Sequence, residues 1–284
     1  MALPLDDDAL LAFAGLCDPP PPEDGLFRRG CWLRRVSGEP VLLFGGGRAL
    51  LLEIAHPLVA AGVAEHSSFR SDPFGRLQRT LEAISAIVFR DRAAALAAAR
   101  SVERAHQRVT GRLSAPAGRF AAGTPYSGRD PELMLWVWAT LVDTGLAIYE
   151  CFVEGLDAEA RRAYYADHRS VARVLGVPGA LVPPSWEAFR SWFDGMLESD
   201  ALAVTPAARE IAAAVLEPPV AIPGARRLRL ITAGLLPPRL REGFGLAWDE
   251  ASAARLEALS ASVRELRRAA AAPSGSLDAR GNSR

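Results

Sequence analysis

The chain carries four histidines, His56, His66, His106 and His168. His106 has the most suggestive surroundings. Val102, His106, Val109 and Leu113 recur at spacings of four, three and four. On a helix they share one apolar face, and Arg100, Arg104, Gln107 and Arg108 point elsewhere. A neutral imidazole on such a face is either a core residue bonded to a carbonyl or a ligand for a metal or haem iron. Glu103-x-x-His106 is also the i, i+3 pair of di-iron carboxylate bundles. A single pair falls short of that site, which takes two pairs and two further carboxylates.

Two other clusters have side chains suited to chemistry. Arg76, Arg79 and Thr80 lie within one turn of each other and project from one side of a helix beside the stripe Leu77, Leu81, Ile84 and Val88. They are either solvated or donors for an acidic group such as a carboxylate or propionate. His56-Pro57 ends one apolar stretch, and Glu65-His66-Ser67 ends the next. Both histidines read equally as buried structural residues.

Composition removes several alternatives. The 33 basic residues are all arginine, balanced by 33 acidic ones. Without lysine there is no Schiff base, no Walker A loop and no kinase strand lysine. Zero net charge argues against a nucleic-acid partner. Gly45-Gly-Gly47 is no dinucleotide fingerprint, and no Gly-x-Ser-x-Gly elbow is present. Cys17, Cys31 and Cys151 have neither the number nor the spacing of a disulfide or zinc framework, which suits a reducing compartment. The acidic start, Asp6 to Asp8, is unlike a secretory signal. A cytoplasmic location is therefore expected.

The positioning elements are helices. Asp72-Pro73, Asp130-Pro131 and Thr205-Pro206 each give an N-cap followed by proline at the first helical position. Helices are expected from 72 to about 88, from about 92 to 112, over 130–152, from 157 to about 175, from 185 past Met196, over 205–216, and over about 249–270. The helix after Asp130 is apolar nearly all round and should be central. The apolar run 41–64 is interrupted by Arg48, Glu53 and His56, so a glycine turn and a buried helix are expected rather than a membrane span. No strand pattern stands out. The fold class is all-α: a single helical domain over 26–270, an extended arm over 1–25 containing Pro19 to Pro22, and a disordered tail over 271–284.

Several strings together resemble one bacterial and fungal family. They are Gly45 to Ser67, Asp72-Pro-x-x-Arg76-Leu-x-Arg79-Thr80, His106-x-x-Val109-x-Gly111, Asp130-Pro-Glu-Leu-x-Leu-Trp136, Leu175-Gly-Val-Pro178 and Leu235-Leu-Pro-Pro-Arg. The family comprises the latex-clearing rubber oxygenases and the mpaB-type oxygenases, and the resemblance spans roughly residues 35–245. It implies a helical fold with a globin-like core around haem b. It also implies dioxygen chemistry on the double bond of a hydrophobic, isoprenoid-like alkene. No nucleic-acid partner is expected, and peripheral membrane contact is a separate expectation. By the same resemblance His106 matches the proximal iron ligand, and Arg76 and Thr80 match residues of the haem cavity, with His56 beside the cofactor. Arg79 stands where the latex-clearing branch has a lysine that can reach the distal iron site. A guanidinium offers iron no lone pair, so the distal side is expected to be open, or held by water or His66. The rubber oxygenases are secreted, so natural rubber itself is not the expected substrate. A pocket near Trp136 and Trp138 is expected to hold the alkene. A non-enzymatic helical binder of an apolar ligand is the alternative.

Overall fold

The computed structural model describes residues 25–67, 73–217 and 224–271. The expected arm (save Gly25), the tail from 272 and the proposed N-cap Asp72 lie outside the described residues.

The chain opens with α1 (Trp32–Ser37), a 3-10 turn (Pro40–Gly45), α2 (Gly46–Ile54) and α3 (Pro57–His66). A helical hairpin follows, α4 (Pro73–Phe89) and α5 (Arg92–Gln107). After it come α6 (Pro131–Phe152), α7 (Ala158–Val174), α8 (Trp186–Glu198) and α9 (Pro206–Leu216). The described chain ends with α10 (Ala225–Leu235), α11 (Pro238–Gly243) and α12 (Glu250–Ala271). The all-α assignment holds.

Capping explains most of the starts. The side chains of Asp91, Asp130, Asp157, Ser185 and Thr205 each accept from a backbone N–H in the first turn of the helix they open. Prolines at Pro131 and Pro206 occupy positions where the missing N–H costs nothing.

The central helix is α6, as its composition predicts. It is long and apolar enough to cross a membrane, yet 67% of its most apolar window is buried inside the protein. Trp136 and Trp138 are sealed in, and both indole N–H groups are satisfied. Trp136 donates to the Leu52 carbonyl at 3.1 Å and Trp138 to the His168 carbonyl at 3.2 Å. Phe193 of α8 stacks on Trp136 with centroids 5.4 Å apart, and Phe189 meets Trp138 edge-on. The run 41–64 is buried or half-buried throughout, and it bends by 111° between α2 and α3. Gly47 permits the close approach of α10 to α2, because a Cβ there would stand 2.4 Å from Thr232 Oγ1 of α10.

Two expectations need correction. The helix holding His106 ends at Gln107, not at residue 112. Residues Thr110–Arg112 form β1, antiparallel to β2 (Pro125–Ser127), with Gly111 opposite Tyr126. The sequence hides this hairpin because Val109 and Leu113 continue the helical spacing by coincidence. Gly111 is also required by contact: a Cβ there would lie 2.3 Å from the Tyr126 hydroxyl. His106, Val109 and Leu113 therefore do not share a single helix face.

Candidate functional site

The hairpin of α4 and α5 brings together the first group of candidates. The two helices are joined by Arg90-Asp91 and packed along each other. Counted outward from that link, Arg76 and His106 lie at the same level within one residue, at the end of the hairpin away from the link. The inward face of α5 carries Ala95 and Ala99, both buried, then Val102 and His106, both half-buried. Burial lowers the pKa of His106, so its imidazole is neutral near pH 7 and retains a lone pair. Its position is fixed from behind by Gly128, where a Cβ would stand 2.7 Å from the His106 carbonyl oxygen. Arg79 and Thr80 lie on the exposed side of α4. The side chain of Arg76 lies outside the described residues.

His66 closes α3 and is exposed. Its Nε2 is 3.0 Å from the Thr110 carbonyl oxygen. A carbonyl only accepts, so Nε2 carries the proton and the lone pair of neutral His66 is on Nδ1. Beside it, Tyr126 donates to Glu65 Oε2 at 2.5 Å. Burial and this carboxylate push the Tyr126 pKa up, so the phenol stays protonated. Sequence reading passes over this pair, because β2 comes from a stretch with no periodicity. Its one local signal is that Glu65 adjoins His66.

His56 is separated from both groups. It caps α3 at the opposite end from His66, a helix of ten residues and therefore about 15 Å long. It is 4% exposed. Its Nδ1 accepts from the Leu58 N–H at 3.3 Å, and its ring tilts against Phe120 with centroids 5.0 Å apart. Burial first, and then Arg119, lower its pKa to about 4. A cavity of about 270 Å³ adjoins it, walled by Leu135, Trp136, Trp192 and Met196. Trp136 thus borders a cavity as expected, but Trp138 does not border this one. It packs among Tyr165, His168 and Phe189 instead. A second cavity, of about 420 Å³, is bordered by Arg48, Asp143, Glu150, Arg161, Trp186 and Arg190. Arg48, Arg161 and Arg190 are all ion-paired. Neither cavity is bordered by a residue of α4 or α5.

The chain does carry a second Glu-x-x-His, Glu53 to His56, so treating Glu103 and His106 as a lone pair overlooks it. The two pairs lie on different elements, α2 with its C-terminal link and α5. Among the described residues no group of three or more His, Cys, Asp or Glu side chains is placed to hold a metal ion together. A haem held by a single axial nitrogen would ask instead for one neutral imidazole, and His106 is the half-buried histidine of the four.

The fold and these sites define an all-helical protein with a half-buried imidazole and an aromatic cavity. Residues 33–268 match the family described as ER-bound oxygenase mpaB/B'/rubber oxygenase, catalytic domain. The chain belongs to that family. It is similar to the uncharacterised protein Mb2261 of Mycobacterium bovis and the uncharacterised protein Rv2237 of Mycobacterium tuberculosis. Each is 27% identical over 225 residues, covering 76% of this chain and 84% of the relative. No solved structure matches the chain significantly.

Proposed function

We propose that this protein is a haem b-dependent oxygenase that uses dioxygen on a hydrophobic, isoprenoid-like alkene in the cytoplasm. Membership in an oxygenase family supports the reaction class. The observation that carries the cofactor is His106, a half-buried imidazole kept neutral by burial on the inward side of α5. Haem, when bound, supplies the iron that activates dioxygen.

The protein's own part is positioning. His106 would donate its lone pair to the iron. Arg76, level with it on the hairpin, and Arg79 would pair with propionates through guanidinium forks. Thr80, on the same side of α4, would add a hydroxyl donor. His66, whose Nδ1 keeps its lone pair while Nε2 is on the Thr110 carbonyl, would be the protein's second candidate nitrogen for the iron. The Arg79 guanidinium has no lone pair to give and cannot ligate iron.

The test is reconstitution of the purified chain with haem b, followed by absorption spectroscopy and a pyridine haemochrome assay. A Soret band at one haem per chain, lost in His106→Ala and kept in His56→Asn, is the expected outcome. Absence of the band, or its retention in His106→Ala, overturns the reading.

A further inference from the structure

The cavity beside His56 is built differently from its surroundings, and it contains no residue of the haem hairpin. Its walls are the indoles of Trp136 and Trp192 with Leu135 and Met196. At its mouth stand Leu181, Arg119 and Glu132. Leu181 is 40% exposed, and Leu266 is the other large apolar side chain that is this exposed among the described residues. The cavity therefore has at its edge one of the two large apolar side chains that stand exposed among the described residues. Arg119 and Glu132 are both exposed and opposite in charge. They give the entrance no net preference for an anion or a cation.

Of the buried residues of this cavity, His56, Leu135 and Trp136, only His56 has a side-chain donor left over, because the Trp136 indole N–H is given to the Leu52 carbonyl. Its Nδ1 is committed to the Leu58 N–H. In a neutral imidazole the proton then resides on Nε2. Among the described residues Nε2 has no hydrogen-bond partner, and it is not one of the fully sealed polar atoms that lack one. The cavity thus combines aromatic walls, a neutral rim and one N–H donor of fixed tautomer. At about 270 Å³ it is near the lower bound of roughly 300 Å³ for small-molecule pockets.

We propose that this cavity binds a small, neutral, mostly apolar ring compound bearing one carbonyl or hydroxyl oxygen, which accepts a hydrogen bond from His56 Nε2. The ring packs against Trp136 and Trp192, and Leu181 covers the entrance. A charged ligand gains nothing here, and a hydrocarbon leaves the donor unpaired. The site stands apart from the haem reading, since it needs neither iron nor any residue of α4 or α5.

Two probes of the same shape separate the hydrogen bond from simple apolar filling. Acetophenone carries a C=O where α-methylstyrene carries a C=CH2 group. Ligand-observed NMR titration of the haem-free full chain should show acetophenone binding about fivefold more tightly, the worth of one net hydrogen bond. His56→Asn keeps a capping acceptor for α3 but shortens the side chain, so the two affinities should become equal. Leu181→Trp, at an exposed loop position, should block both probes without unfolding the protein. The proposal is overturned if neither probe binds, if the wild type binds both equally, or if Leu181→Trp leaves binding intact. Failure of haem reconstitution would leave these results unaffected, so the two readings fail separately.

Discussion

Arg48 offers the sharpest test of how the core is held. It lies in the first turn of α2 and is 5% exposed. Its guanidinium donates to three groups on two other helices: Asp143 Oδ2 at 2.6 Å, Thr144 Oγ1 at 2.7 Å and the Leu235 carbonyl at 2.7 Å. Asp143 also accepts from Arg190, which is more exposed, with 31% of its side-chain surface accessible. The two ends of the pair therefore differ. Arg48→Met leaves Asp143 still neutralised by Arg190, whereas Asp143→Leu strands a guanidinium with a side chain 6% exposed. Breaking a buried pair from one side costs about 3–5 kcal/mol. Asp143→Leu should fall at the upper end of that range and Arg48→Met at or below the lower end. At roughly 2–4 °C per kcal/mol, the first should lower Tm by about 10–20 °C. The double variant Arg48→Met/Asp143→Leu removes the stranded charge and should be more stable than Asp143→Leu alone. Thermal and urea unfolding followed by circular dichroism measures all three. Additive single-site losses, or Arg48→Met as the worse variant, would refute the argument.

Acid should destabilise the protein through its buried histidines. Burial lowers His168 to about 3 and His56 to about 4, so below pH 6.5 the unfolded chain binds more protons than the folded one. Stability is full above about pH 6.5 and falls by about 2 kcal/mol per histidine on going to pH 5; the urea midpoint at the two pH values checks this, and His168→Phe should shrink the difference. Gly47→Ala should cost about 1–3 kcal/mol through overpacking, because its Cβ would meet Thr232 Oγ1 at 2.4 Å. The second change Thr232→Ala should recover part of that loss in the same unfolding assay. Tyr126→Phe removes the bond to Glu65 and should lower stability by about 1–2 kcal/mol, with faster amide exchange in β1 and β2; unchanged exchange there would count against a role for this pair in holding the hairpin.

The helix starts were legible because capping is a local event. Asp130, Asp157 and Thr205 each satisfy an N–H two or three residues away, so a short string contains the whole cause. The end of α5 was not legible. It depends on Gly111 meeting Tyr126 across fourteen intervening residues, and nothing near His106 announces that partner. The central role of α6 was readable from its composition, but the layout of its two tryptophans was not. Trp136 borders a cavity and Trp138 is enclosed by Tyr165 and Phe189, a distinction made by which helix lies opposite each ring.

The candidate histidines follow the same division. Spacing alone puts His106 on the inward stripe of α5, because its neighbours on that stripe are four and seven residues away. Grouping His56 with it is a different kind of statement, since it requires two separate elements to meet. The hairpin and the start of α3 do not share a cavity among those described. His56 is instead surrounded by contributions from α6, α8 and the segments around Phe120 and Leu181. A shared motif therefore does not by itself place two residues at one site. Glu53-x-x-His56 and Glu103-x-x-His106 have identical spacing, yet one imidazole caps a helix beside an indole-lined cavity and the other occupies the open end of a hairpin. Their surroundings differ in burial and in neighbours, and both are set by residues distant in the chain. Substituting His106 should thus change haem affinity with no effect on acetophenone binding, and substituting His56 should do the reverse. Loss of both properties in either single variant would mean that the two imidazoles serve one site.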